Sequence, residues 1–414
     1  MLWSRKSTPV HERSRAVGID LTASRARAAA VGTRVRPVVL DDPAEELALV
    51  IAGDRRAPEP GRAGLALVRK LPHAVWSNFL PALGQSREWR SGRLALTPEA
   101  ALELCFTKVR GPVAVASEAV GLALPYYLAP AQVAKVVAAA GRARLPLKGT
   151  AAAPLAVVAD RAAAVPEGKP AAAPAEWVVP MRPAPAGVGP VVVVDADEFA
   201  LSAAVVGLDR DAARVVTSAC WPRLGLKAWT DRLIDAVSDR CVRVCRRDPR
   251  DSADAEQALF EQLDGALDRA RAGQKVNLTL RTDHWYQDVA HQPEEFEAYC
   301  TALARSSAEA VWEVAAAQPV PPRAVWLTHA AGRLPGLARA AHAHTPEATA
   351  VEVLPPDAMA CAAAALAGRW LAGELPRQHL DTVIPFPPRS RDAESPERSA
   401  PPTPRSAPQT PRRG

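Results

Sequence analysis

At 414 residues and 43.9 kDa the chain is long enough for a large buried core and for two or three domains. Hydrophobic residues at 48% and charged residues at 23% give a globular composition, while 40 prolines require long loops or connectors beside the folded parts. The net charge of +6 is spread along the chain apart from its basic ends, and no apolar run approaches the ~20 residues that span a bilayer, which argues against nucleic acid and membrane as partners.

In chain order, the first 15 residues, MLWSRKSTPVHERSR, are basic, lack an apolar leader core and are predicted to be disordered. Alternation over 16–21 and again over 26–31 predicts two half-buried strands joined by the turn Thr22-Ala23-Ser24. Further strands are expected at LALVRKL (65–71), PVAVASEA (112–119) and APLAVVAD (153–160), and a helix at APAQVAKVVAAAGRA, ending near Gly141. A first folded unit therefore covers 16–164. The proline- and alanine-rich stretch 165–190 cannot hold a regular helix and reads as a linker.

VVVVD, 191–195, restarts the fold as a buried strand, with a second strand over 199–206. Helices follow at LKAWTDRLIDAVSDRCVRVC and SADAEQALFEQLDGALDRARAG, a strand at KVNLTLRT, a helix from Pro293, a strand at AVWLTHA, and helices at LPGLARAAHA and PPDAMACAAAALAGRWLAG. This second unit covers 191–386, and the charged, proline-rich remainder, 387–414, is expected to be disordered. Strands alternating with helices make the class α/β. Six scattered cysteines, of which only Cys241 and Cys245 lie close and without a CxxC spacing, fit a reduced cytoplasm.

The two units echo one another. VGIDLTASRARAAAV and VVVVDADEFALSAAVV each run strand, Asp, polar turn, alanine-rich strand, with Asp20 and Asp195 175 residues apart (195 − 20). Each aspartate reads equally as a turn-capping residue or as a metal-side ligand.

Taken in order, these pieces resemble the nucleotide-binding domain of the 70-kDa heat-shock chaperone family, within the actin-like ATPases. VGIDLTASRARAAAV is similar to the family's first phosphate loop, G-I-D-L-G-T-T-N-S, and VVVVDADEFALS to the second, D-L-G-G-G-T-F-D-V-S. LALPYYLAPAQ…TAAAPLAVV, LKAWTDRLID, PEEFEAYC, AVWLTHAAGRLPGL and PPDAMACAAAALAG match the later motifs in the same order. The resemblance implies a two-lobed actin-like ATPase (duplicated ribonuclease-H-like) fold, with mixed sheets flanked by helices and the last helices returning to the first lobe. ATP or ADP with Mg would lie in the cleft. The family's client-binding domain and lid have no counterpart in the sequence.

The resemblance places Asp20 and Asp195 on the magnesium side, as the catalytic and metal residues, and Thr22, Ala23 and Ser24 around the phosphates. On the adenosine side it places Asp268, Arg271, Gly332 and Arg333, with Ala272, His329 and Ala330 departing from the pattern. Asp268 and Arg271 are three apart and so share a helix face, which also describes an ordinary ion pair.

Departures concentrate on the phosphates. Thr22 stands for a glycine, and the second loop has no glycine and carries Asp197 and Glu198. At about 4 Å and an effective dielectric near 20, each added carboxylate opposes a phosphate by roughly 4 kcal/mol before screening. Leu80 aligns with the catalytic lysine, which Lys70 or Arg87 would then replace, and Lys148 aligns with a glutamate. No Walker, Rossmann, zinc-protease or serine-hydrolase motif is present, and His284 with His291 lack a third ligand at metal spacing.

Two functions follow. One is a chaperone-like nucleotide-binding module with inefficient hydrolysis, acting on an unknown protein partner. The other is a catalytically inactive pseudo-ATPase scaffold. The tail PPTPRSAPQTPRR offers either of them a polyproline or Ser/Thr-Pro segment.

Overall fold

The computed structural model describes residues 15–387 except 33, 55–56, 93, 165–188, 283–284 and 376. The expected disordered ends apart from Arg15 and Pro387, most of the 165–190 linker and His284 thus lie outside the described residues.

Two mixed sheets organise the molecule. In the first, β1 (Ala16–Leu21) pairs antiparallel with β2 (Arg25–Val31), and β2 pairs with β3 (Val35–Val38) and the short β4 (Glu46–Ala48). On its other side β1 runs parallel to β5 (Val120–Leu124), which runs parallel to β6 (Leu147–Ala152). In the second sheet β7 (Val191–Ala196), β8 (Leu201–Leu208) and β9 (Ala212–Trp221) form the antiparallel pairs. There β7 runs parallel to β10 (Ala324–Leu327), and β10 to β11 (Ala350–Val353). The order β6-β5-β1-β2-β3 is repeated as β11-β10-β7-β8-β9 with the same strand directions.

Strands next to parallel partners are covered on both faces, so β1 is buried at all six positions and β7 reads as a valine run. Helices α1 (Pro98–Ala116) and α2 (Pro130–Arg142) cover the outer face of the first sheet, where Ile19, Leu21, Leu102, Phe106 and Val136 form a core. On the outer face of the second, α4 (Leu226–Cys245), α5 (Ala253–Arg271), α6 (Pro293–Ala316) and α7 (Leu337–His344) enclose Trp229, Leu233 and Phe296. A hairpin, Val276–Arg281 with Tyr286–His291, lies against α5.

Between the sheets lie α3 (Ala153–Ala164) and α8 (Ala358–Leu371), packed on each other. Each follows the last parallel strand of one sheet and reaches the other: α8 follows β11 and lies on β1, β2 and β5, while α3 follows β6 and touches β8 and β9. Arg161 of α3 pairs with Glu352 at 2.6 Å and stacks on Trp326, both in the second sheet.

Close approach of α8 depends on three glycines in register, Gly18, Gly121 and Gly149. A Cβ at Gly18 would sit 1.8 Å from the Ala360 carbonyl oxygen, at Gly121 2.3 Å from that of Ala363, and at Gly149 2.5 Å from the Trp370 ring. Alanines at 360, 362, 363 and 364 supply the matching shallow helix surface. After α8 the chain adds β12 (His379–Leu380) to the edge of the first sheet beside β6 and β13 (Val383–Pro385) to the second beside β9.

Three strand expectations are corrected. PVAVASEA belongs mainly to α1, whose buried Leu102, Cys105, Phe106, Val109 and Val113 follow a helical period to which Val113 belongs. APLAVVAD lies in α3, buried between two sheets and therefore without a polar face to reveal the period. LALVRKL is the end of a one-turn helix, Arg62–Leu65, followed by turns. Lys148 lies exposed in β6 at a register shift against β5. No helix among the described residues is long and apolar enough to cross a membrane.

Candidate functional site

The β1–β2 and β7–β8 hairpins occupy the same place in their sheets, and their turns meet. In the first turn the Thr22 hydroxyl accepts from the amides of Ser24 and Arg25 at 3.3 and 3.2 Å. The Thr22 side chain thus satisfies two amides of its own turn. The remaining amide, Ala23 N–H, donates across to Asp197 Oδ2 at 2.9 Å.

Asp197 is the hub of the contact and is 2% exposed. Its Oδ1 accepts from the amides of Phe199 and Ala200, both at 3.0 Å, closing its own turn as an Asx motif. Its Oδ2 accepts from Ala23 N–H and from the Tyr127 hydroxyl at 2.6 Å. Beside it the Glu198 amide donates to Ser24 Oγ at 2.6 Å. One carboxylate therefore collects amides from both hairpins. Burial, followed by the charge of Asp195, raises Asp197 to about 6, while Tyr127 and the amides pull the other way. Burial also raises Glu198 to about 7.

Asp20 and Asp195, at matched positions near the ends of β1 and β7, line one small cavity with Arg25, Thr328, His329 and Met359. Its volume is about 10 Å³, the space of one water molecule. Burial and then the charge of Asp195 raise Asp20 to about 7, opposed by Arg25. Asp195 Oδ1 accepts from the Thr328 hydroxyl at 2.7 Å. His329 is lowered to about 3 by burial and then by Arg333 and Arg25, so its ring is neutral, and its Nδ1 is buried without a hydrogen bond.

Further along the same face Asp268, Arg271, Gly332 and Arg333 come together. Arg333 is 8% exposed; its guanidinium contacts Asp264 at 2.7 Å and Asp268 at 2.7 Å. These two carboxylates engage the guanidinium of Arg333, the residue expected on the adenosine side. Burial lowers Arg271 and raises Asp268, the latter opposed by Arg333. Gly332 is required by packing, since a Cβ there would lie 2.2 Å from Val353. Leu80 is fully buried in the first core, and Lys70 pairs with Asp254 at 2.6 Å. Arg87 stacks on Trp89.

Farther from the hairpins, segment 62–71 is tied to α4 and α5. Gln257 accepts from the Arg69 and Lys70 amides and donates to Leu65 O, and Arg69 pairs with Asp231 at 2.6 Å.

The amides of both turns have acceptors within the protein, the cavity lined by the aspartates has a volume of about 10 Å³, and no group of three His, Cys, Asp or Glu among the described residues is placed to hold a metal ion. The aspartates and Asp197 stand out in the sequence, whereas Tyr127, Arg25 and Thr328 lie within the matched stretches LALPYYLAPAQ, VGIDLTASRARAAAV and AVWLTHAAGRLPGL without being singled out there; Arg25, directly after Ser24, carries the plainest signal. Compared with known proteins, the chain matches no family model and no curated sequence, so its function is read from this geometry.

Proposed function

We propose that the chain is a heat-shock-70-like protein of two-lobed actin-like fold that works as a non-hydrolysing pseudo-ATPase scaffold, its nucleotide cleft held shut by its own residues. The fold part of this reading is supported by the repeated strand order, by the helices exchanged between the sheets and by the aspartates at matched strand ends. One observation carries the functional part: the Asp197 carboxylate accepts amides from both hairpins, the role a phosphoryl group plays in a working site. A body fixed in one closed state presents a constant surface to a protein partner, and the six free thiols suit a reducing cytoplasm.

Phosphate release from Mg-ATP tests the proposal: the expected result is no turnover above buffer, and turnover that disappears in Asp195→Ala overturns it. A nucleotide-binding chaperone module is the second reading, and the gathering of Asp268, Arg271 and Arg333 beside Gly332 favours it. The Asp197→Ala variant discriminates between them, because only a cleft kept in reserve gains nucleotide binding when the carboxylate is removed.

A further inference from the structure

Away from the hairpins, a single side chain joins the second unit to the main chain of the first. Gln257 of α5 is 5% exposed, and its amide uses every hydrogen-bonding position it has. Its Oε1 accepts from Arg69 N–H at 2.8 Å and Lys70 N–H at 3.3 Å, while its Nε2 donates to Leu65 O at 2.8 Å and to Glu261 Oε1 at 2.9 Å. Flipping the amide would set N–H against N–H and oxygen against oxygen, so the orientation is determined by its partners. Charged groups surround it. Arg69 pairs with Asp231 at 2.6 Å and Glu256 at 3.4 Å and lies over the Phe260 ring, and Lys70 pairs with Asp254 at 2.6 Å.

This contact differs in kind from the α3–α8 crossing. There Ala156, Val157, Val193, Val206, Ala363 and Leu366 share one apolar core that draws on both units, and separating them would expose it to water. None of Leu65, Leu67, Val68 and Leu71 is buried, so segment 62–71 leaves α5 without exposing an apolar core, and its polar groups exchange one set of hydrogen bonds for another with water. We propose that Gln257 is a clasp that keeps the two units shut in the absence of nucleotide, with the α3–α8 crossing as their permanent joint. This rests on the scaffold reading and deepens it, because the junction at Asp197 then depends on a contact made by other elements: once the clasp is released the hairpin turns separate more often, and Ala23 N–H leaves the Asp197 carboxylate.

Site-resolved amide exchange on the full chain without nucleotide tests this, comparing wild type with Gln257→Leu, which is close in size and forms no hydrogen bond. The amides of Arg69 and Lys70 should exchange at least about tenfold faster and that of Ala23 at least about threefold faster, while those of β1 and α8 keep their wild-type rates. Gln257→Glu loses both donors and sets a carboxylate beside Leu65 O and Glu261, and it should behave like Gln257→Leu. Faster exchange at 69 and 70 with Ala23 unchanged would make the contact a local one and overturn the proposal. An equal rise throughout the chain, which signals lost stability rather than opening, or no rise at all, also overturns it. If neither Gln257 variant folds, Arg69→Met, which removes the ion pairs and keeps the main chain, decides by the same readings at positions 69, 70 and 23. These readouts contain no nucleotide, so their failure leaves the scaffold reading to be judged separately by ATP turnover.

Discussion

Replacing Asp197 by alanine strips one acceptor from four donors: Ala23 N–H, Phe199 N–H, Ala200 N–H and the Tyr127 hydroxyl. Left without an acceptor, each costs about 1–2 kcal/mol, or about 4–8 kcal/mol together. The opposing effect is the removal of a buried charge, for a carboxyl raised from 3.8 to about 6. That relief is worth about 3 kcal/mol. The expected net loss is therefore about 1–5 kcal/mol, centred near 3 kcal/mol. Urea unfolding measures the loss, and site-resolved amide exchange locates it. Ala23 N–H should exchange faster in the variant, while Ser24 and Arg25 N–H, held within their own turn by Thr22, serve as internal controls. A loss below about 0.5 kcal/mol with unchanged Ala23 exchange would refute the idea that this carboxylate joins the hairpins.

The Asp20 carboxyl, raised to about 7 in the folded protein, keeps a proton that the unfolded chain has released near 3.8, so its contribution to stability declines as pH rises from about 4 to about 7 and is gone above. Asp20→Asn stays neutral throughout and should unfold at a higher midpoint than wild type near pH 8, with the gap closing as the pH falls toward about 4; a difference independent of pH would contradict this. Gly18→Ala should cost more than about 3 kcal/mol or prevent folding, because its Cβ meets the α8 backbone, whereas Gly368→Ala on the same helix, with nothing within 4 Å, should gain up to about 1 kcal/mol. Equal effects in denaturant titrations of the two would show that the close approach of α8 to β1 is not what Gly18 serves.

Much of the second half was legible in the sequence because its helices are amphipathic: α4, α5 and α6 each bury one stripe and expose the rest, so the expected spans match the observed ones closely. The strand–Asp–turn–strand pattern likewise located β1–β2 and β7–β8, since a turn between two apolar strands is a local signal. The middle of the first half was misread for the opposite reason. α3 is enclosed by both sheets and α8, leaving Leu155, Val157 and Val158 buried together, and a fully buried segment shows no period. β5 and β6, which carry Gly121 and Gly149, went unrecognised because their small residues serve α8 rather than a strand propensity. In the site, the sequence exposed Asp197 as an intruder but gave its sign of action only as repulsion; its partners, Ala23 and Tyr127, lie 174 and 70 residues away and depend on tertiary closure.

The most direct test of the central claim is calorimetric titration of the wild-type chain with Mg-ATP and Mg-ADP at millimolar concentration, beside Asp195→Ala. A cleft occupied by Asp197 predicts no saturable heat with either nucleotide, identical in the two proteins. Saturable binding to wild type that is lost in Asp195→Ala would contradict it.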